Sequence, residues 1–271
     1  MQKVVIVIPV YKPSFDKWEE ISLRQTMRVL GQYPLVLVCP KGMDASQYDN
    51  LASSEGVVLH YERFEPYFFD GIKGYNRLML SKDFYTRFAD YEYVLICQTD
   101  AYVFRDELME WCGKGYDYVG APIFGRFSDV EFHRDQARVG NGGFSLRRVK
   151  AFMDFFNGKK YVYKTGDLTE RIGLKEKPYS RWLVWLLMAM GWRNKPYSVA
   201  KRWQYNEDDF WSGLLEGSNY ELTKPSVEEA LSFAFERFPS EVFAIRGALP
   251  FGCHAWAKYQ YDTFWKDYIK E

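Results

Sequence analysis

Two acidic segments and one histidine are the residues of this chain best suited to chemistry. An apolar run, residues 93–97, ends on Gln98, Thr99 and Asp100, then turns apolar again through Val103 and Phe104. A buried strand that delivers a carboxylate at its carboxyl end is how an open α/β sheet places an acid in its ligand crevice. A strand that simply ends at a solvated Asp has the same letters. The second segment, Asn206 to Trp211, concentrates Glu207, Asp208 and Asp209 at a predicted helix amino terminus. One such carboxylate can accept a proton from a reacting hydroxyl, but acids also favour the first turn of any helix because of its dipole. His254, one of three histidines, lies between Gly252 and Trp256, where it is either a ligand or a structural residue.

Three further segments can build a binding site around these groups. Pro9, Val10 and Tyr11 follow the first strand, where Tyr11 can stack on a nucleobase or the two prolines of IPVYKP can simply make a turn. GYNRLML puts Asn76 and Arg77 at the start of a predicted helix. Backbone donors and a guanidinium there suit a diphosphate, with a solvated surface arginine as the plainer alternative. In GNGGFSLRR, Gly142 and Gly143 allow backbone conformations and close ligand approach denied to other residues.

The elements that must hold these segments are legible from periodicity. Residues 4–10, 34–38, 57–61, 93–97 and 118–122 are rich in Val, Ile and Leu without strict alternation, as in strands of a sheet covered on both faces. Residues 15–31 carry apolar side chains on a helical period, with Asp16 and Glu19 as a capping box and Gly31 as the stop. Helices are also predicted over 75–88 and 106–112. Repeated strand–helix units imply an α/β fold with a mainly parallel, Rossmann-like sheet flanked by helices. After about residue 140 the pattern changes: FSLRRVKAFMDFF is predicted helical, 158–180 irregular, and 180–192, 207–216 and 226–236 helical. The expectation is one domain over residues 1–271, its helical and irregular carboxyl-terminal part completing the site.

Bulk properties narrow the class of partner. The 271 residues carry 36 basic and 36 acidic side chains, so the electrostatic footprint of a dedicated nucleic-acid binder is absent. Cys39, Cys97, Cys112 and Cys253 show no paired spacing, and the two in apolar runs suggest reduced thiols and a cytoplasmic protein. No signal peptide is read at the start, and the longest apolar stretch, 182–192, has 11 residues, too short to span a bilayer. Segment 180–193, with three tryptophans and basic ends, reads as an interfacial helix at the inner face of a membrane or as a buried helix with charged ends.

Taken together, GYNRLMLSKDFY, YVLICQTDAYVF, YDYVGAP, VGNGGFSLR, NEDDFW and LPFGCHAW resemble, in order and over nearly the whole chain, the DUF5672 family of GT-A-like glycosyltransferases. The resemblance implies a GT-A-like fold with a nucleotide-binding half over 1–123 and a donor-sugar and acceptor half over 140–271. It implies a nucleotide-sugar donor, UDP-linked by analogy, and a glycan or lipid-linked acceptor. Gln98 and Asp100 stand where GT-A enzymes carry Asp-x-Asp, so Gln98 would hold a ribose hydroxyl and Asp100 a divalent cation, Mn²⁺ or Mg²⁺. His254 is similar to the histidine that completes the metal site in several such enzymes. By the same resemblance Asp208 is the catalytic base, Glu207 helps to place the acceptor, and Gly142 and Gly143 face the donor sugar. One base without a nucleophile fits inversion at the anomeric carbon. The competing implication, from the missing first acid, is a nucleotide-sugar- or carbohydrate-binding protein without turnover. The helix dipole is expected to keep Asp208 ionised at neutral pH.

Overall fold

The computed structural model describes residues 2–125, 132–133, 136–168 and 181–270. Its centre is a six-stranded sheet in the order β3-β2-β1-β4-β9-β6. The strands are β1 (Gln2–Pro9), β2 (Leu35–Pro40), β3 (Leu59–Phe64), β4 (Tyr91–Cys97), β6 (Tyr118–Gly120) and β9 (Phe144–Arg148), while β7 (Pro122–Ile123) and β8 (Arg138–Val139) pair with each other outside this sheet. The first four are parallel, and β9 alone runs against its neighbours β4 and β6. The mainly parallel α/β sheet flanked by helices is therefore as predicted.

Alternate side chains of the strands enter separate cores. Val4, Ile6, Leu35, Leu37, Tyr93 and Leu95 pack with Leu23, Met27 and Leu30 of helix α1 (Lys17–Leu30) on one face. Val5, Val7, Val36, Val38, Val94 and Ile96 pack with Leu78, Phe84 and Phe152 on the other. Both faces being covered is why these strands lack polar alternation. Asp16 caps α1 as predicted: its carboxylate accepts the amides of Trp18 and Glu19, and Glu19 returns to the Asp16 amide. Gly31 is not a left-handed stop, since its φ is −64°. A side chain there would meet the Met27 carbonyl at 2.3 Å and Val57 at 2.8 Å, so close packing requires the glycine.

Several predicted helices are divided or shifted. The stretch predicted as one helix over 75–88 is two, Gly71–Met79 and Lys82–Arg87, separated at Ser81, which caps the second through the Phe84 amide. The helix predicted over 106–112 is Leu108–Gly113. FSLRR is not helical: it forms β9, and the helix begins only at Val149. Its alternation, Phe144 and Leu146 to one face and Ser145 and Arg147 to the other, matches a strand once both neighbours are in place. Residues 226–236 end as a strand, β10 (Ala234–Phe235), rather than continuing the helix Val227–Phe233. The helix Arg181–Ala189 has no buried residue, which removes the buried-helix reading of 180–193; Ser180 and the stretch 169–179 of the predicted irregular region lie outside the described residues. No helix among the described residues is long and apolar enough to cross a membrane.

The reversed strand carries a fully buried arginine. Arg147 sets its two terminal nitrogens on both oxygens of Glu207, at 2.7 and 3.0 Å. It also donates to the Ser145 hydroxyl at 3.0 Å and the Tyr85 hydroxyl at 3.1 Å. The rings of Tyr118 and Phe152 lie 5.5 and 5.9 Å from its guanidinium. Burial opposes its charge, but Glu207 outweighs this and raises the Arg147 pKa well above its ordinary value. Removing one partner strands the other charge in the core, at a cost of about 3–5 kcal/mol. In urea unfolding, Arg147→Met and Glu207→Leu should each lose that much, whereas the double variant of the same two substitutions should lose far less than their sum. Additive losses would mean that the pair does not couple β9 to the helix bearing Glu207.

Candidate active site

A second, small sheet gathers the groups that the sequence spreads over 150 residues. β11 (Gly252–Cys253) lies between β10 and β5 (Tyr102–Val103), parallel to the former and antiparallel to the latter. The register Phe235↔Cys253 makes Glu236 and His254 the next residues of two adjacent parallel strands. The pairing Tyr102↔Cys253 brings the approach to β5, and Asp100 with it, against His254. His254 Nδ1 accordingly lies 3.1 Å from Glu236, and its Nε2 lies 3.2 Å from Asp100 and 3.0 Å from the Gln98 side-chain oxygen. Burial lowers the histidine pKa, but Asp100 and Glu236 outweigh it and raise the pKa well above 6.5. For Asp100, burial works against ionisation, and His254 with Lys258 still holds the carboxyl below its ordinary value.

The two glycines follow from the same crowding. The Gln98 amide donates to the Gly143 carbonyl at 2.9 Å, continuing the β4–β9 ladder. A side chain on Gly143 would meet His254 Nε2 at 2.0 Å, and one on Gly142 would meet a Glu207 oxygen at 2.3 Å. Asn141 holds the bend between them, its side-chain oxygen accepting the Gly143 amide at 3.0 Å. These glycines line a cleft of about 220 Å³ together with Tyr75, Asn76, Gln98, Asp100, Glu207, Asp208, Glu236, His254 and Lys258.

The acidic segment divides its three carboxylates among different partners. Glu207 is paired with Arg147 through both oxygens and is buried, yet it lines the cleft, where each oxygen keeps a second lone pair. Asp209 pairs with Arg138 at 2.5 Å. Asp208, between them, accepts the Asp209 amide at 2.8 Å and lines the cleft. Burial, then the charges of Glu207 and Asp209, raise the Asp208 pKa to about 7, opposite to the lowering expected from a helix dipole. The helical turn Glu207–Asp209 is too short for that dipole to prevail and passes at once into a π-helical turn, Phe210–Leu214.

Other predicted site residues take different positions. Asn76 and Arg77 are not at a helix start but in the later turns of Gly71–Met79. The Asn76 side-chain oxygen accepts the Glu207 amide at 3.1 Å, so it caps the acidic turn from a neighbouring helix. Arg77 is exposed and outside the cleft lining. Thr99 donates to Glu19 at 3.1 Å, tying the end of β4 to the start of α1. Pro9, Val10 and Tyr11 also lie outside the cleft lining; Val10 is buried, and Tyr11 is 64% exposed beside Lys12. Glu19 bonds both Lys12 and Thr99, which joins this end of β1 to the cleft rim. Several residues of the cleft lining carry no signal in the sequence, among them Tyr75, Asn141, Glu236, Lys258 and Tyr259.

No curated protein sequence matches the chain. Solved structures similar to it include core-mannan synthase A (CmsA/Ktr4) from Aspergillus fumigatus in a Mn/GDP form, at 12% identity over 78% of this chain and 72% of that one, with a TM-score of 0.43. The glycosyltransferase GlyE from Streptococcus pneumoniae is similar at 12% identity over 94% of this chain and 55% of its own, with a TM-score of 0.45; the chain thus spans about half of that protein. The galactosyltransferase LgtC, in complex with donor and acceptor sugar analogues, is similar at 12% identity over 92% and 86%, with a TM-score of 0.48. The family model described as a protein of unknown function, DUF5672, matches residues 58–254, and the chain belongs to that family.

Proposed function

We propose that this protein is a glycosyltransferase of GT-A type that moves a sugar from a nucleotide-diphosphate sugar, with UDP-sugars the expected donors, to a hydroxyl of a glycan or lipid-linked acceptor with inversion. The observation that carries this reading is Asp208. It is a cleft carboxyl set between two arginine-paired carboxylates, with its pKa raised to about 7. A base titrating near the working pH combines availability with proton affinity. Asp208 takes the proton of the acceptor hydroxyl as that oxygen bonds to the anomeric carbon. The carbon–oxygen bond to the diphosphate breaks, and the nucleoside diphosphate leaves with the electron pair. The proton then passes from Asp208 to water. With no second cleft carboxylate assigned as nucleophile, single displacement is the simpler course. Tyr75 offers a hydroxyl that is buried without a hydrogen-bond partner among the described residues, suited to a polar atom of the donor.

The residues present fit a divalent cation that brings most of its own ligands. His254 Nε2 lies 3.0–3.2 Å from Gln98 and Asp100 oxygens, so one imidazole nitrogen and two oxygen donors converge on the cleft. Among the described residues no group of three or more His, Cys, Asp or Glu is placed to hold a metal by itself. Asp100, His254 and the Gln98 carbonyl would hold the ion, and the remaining positions would fall to diphosphate oxygens and water, with imidazole favouring Mn²⁺ over Mg²⁺. With an ion bound, His254 would give up its Nε2 proton, and Glu236, accepting from Nδ1–H, would hold that tautomer. When bound, such a cation neutralises charge on the departing diphosphate.

Asp208→Asn should cut transfer by about 10²- to 10⁴-fold while donor binding persists. In the wild type, kcat/KM should rise about tenfold per pH unit up to about 7 and level off above it, because only ionised Asp208 accepts the proton. Chromatographic analysis of product anomers from a defined UDP-sugar reads the stereochemistry. Full activity in Asp208→Asn, or a profile without this limb, sinks the assignment.

Asp100→Asn should abolish the extra thermal stabilisation that Mn²⁺ adds to UDP, read against the variant's own unliganded melting temperature, which loss of the His254 contact will itself lower. Saturating ligand at 100 times its Kd stabilises by about 2.7 kcal/mol, which a melting scan resolves easily. An unchanged Mn²⁺ response in the variant would exclude Asp100 as a ligand, and donor binding without transfer in the wild type would favour a binding protein.

A further inference from the structure

The segment from residue 181 to 206 contains five basic residues and no acidic one, in a chain whose charges otherwise balance. Its helix Arg181–Ala189 is almost wholly apolar, yet none of its residues is buried. Trp182 is 68% exposed and Met190 61%, and Trp192 and Leu186 are exposed as well. Trp182, Leu183, Leu186 and Met190 face water together, and a cluster of large exposed apolar side chains marks a surface that is covered in use.

This surface is held in shape. The fully buried Asn194 accepts the Tyr163 amide at 2.8 Å and donates to the carbonyls of Tyr163 and Met188, which pins the turn that follows the helix. Beyond the turn, the exposed Arg193 stacks on Trp192 at 3.9 Å, and Lys201 lies over Tyr197 at 5.6 Å. Tyr197, Lys201 and Arg202 line an open depression of about 490 Å³. Trp203 then joins the patch to the cleft, donating to the Asn206 carbonyl at 2.7 Å, one residue before Glu207.

We infer that residues 181–202 dock the protein on an anionic lipid bilayer. The exposed tryptophans and leucines enter the interface, and the cations beside them meet lipid phosphates in the depression. Tryptophan and arginine both suit this boundary, since each pairs an apolar body with a polar end. Charge complementarity selects a membrane over an apolar protein partner or a second copy: the cations lie on the same segment as the apolar side chains and would repel their own images. Resting on the glycosyltransferase reading, this makes the acceptor a lipid-linked glycan presented at the membrane surface, within reach of a cleft that begins four residues after Arg202.

Vesicle co-sedimentation tests the docking directly, with full-length protein and neither donor nor acceptor present, so its outcome is independent of the transfer reading. Binding is expected to phosphatidylglycerol-containing vesicles at low salt, and to fall steeply with added salt and with pure phosphatidylcholine. Each cation near such a surface is worth about fivefold in partitioning. Lys201→Gln with Arg202→Gln should therefore weaken binding roughly 30-fold, while Trp182→Ser with Trp192→Ser should weaken it on both vesicle types. These four side chains are outside the cores, and circular dichroism confirms that the variants fold. No wild-type binding at low salt, undiminished binding by the tryptophan variant, or a solution dimer that buries Trp182 and Trp192 instead would each overturn the inference.

Discussion

The buried pair of Arg147 and Glu207 is the constraint on which the cleft depends. A guanidinium in the middle of a sheet, surrounded by Tyr118, Phe152 and Tyr85, is tolerable only with a carboxylate on it. Glu207 comes from 60 residues further along the chain, so satisfying the arginine returns the acidic turn to the reversed strand. That return sets Asp208 on the cleft wall and forces position 142 to be glycine. The same ion pair that secures the fold thereby raises the neighbouring carboxyl, because the Glu207 charge is among the causes of the Asp208 shift.

A second device places the other half of the cleft. The three-stranded sheet of β10, β11 and β5 is only two residues deep on each strand, yet its registers decide which side chains meet. Parallel pairing sets Glu236 beside His254, and antiparallel pairing delivers Asp100 to the opposite nitrogen. Histidine between two carboxylates is costly to arrange in an apolar surrounding, and it is stabilised here by sharing charge with both. Gly143 leaves the room that this arrangement occupies. Cleft and core are therefore one packing problem rather than a site added to a finished scaffold.

Aromatic residues, the one compositional excess of the chain, serve two ends. Most fill the cores, as in the cluster of Phe152, Phe155, Phe210 and Trp211 under the acidic turn. A separate set, Trp182, Trp192, Tyr197 and Tyr205, stays in water on the segment leading into the cleft. Composition counts both sets alike.

The sequence by itself determined what local periodicity and capping chemistry encode. The four parallel strands, the capping box of Asp16 and Glu19, and the strand end at Gln98 and Asp100 all depend on neighbours a few residues away. Motif order was also legible, which is why the family resemblance held through residues 58–254. Only the tertiary structure decided the rest. FSLRR reads as helix until β4 and β6 flank it, since its backbone bonds come from those strands. Asn76 finds its partner in Glu207, 131 residues away, and no spacing within GYNRLML announces that. The Asp208 pKa follows from burial and the charges around it, which outweigh the helix dipole that the letters suggest. Glu236 entered the cleft unannounced for the same physical reason: register between strands, not sequence distance, decides which groups share a site.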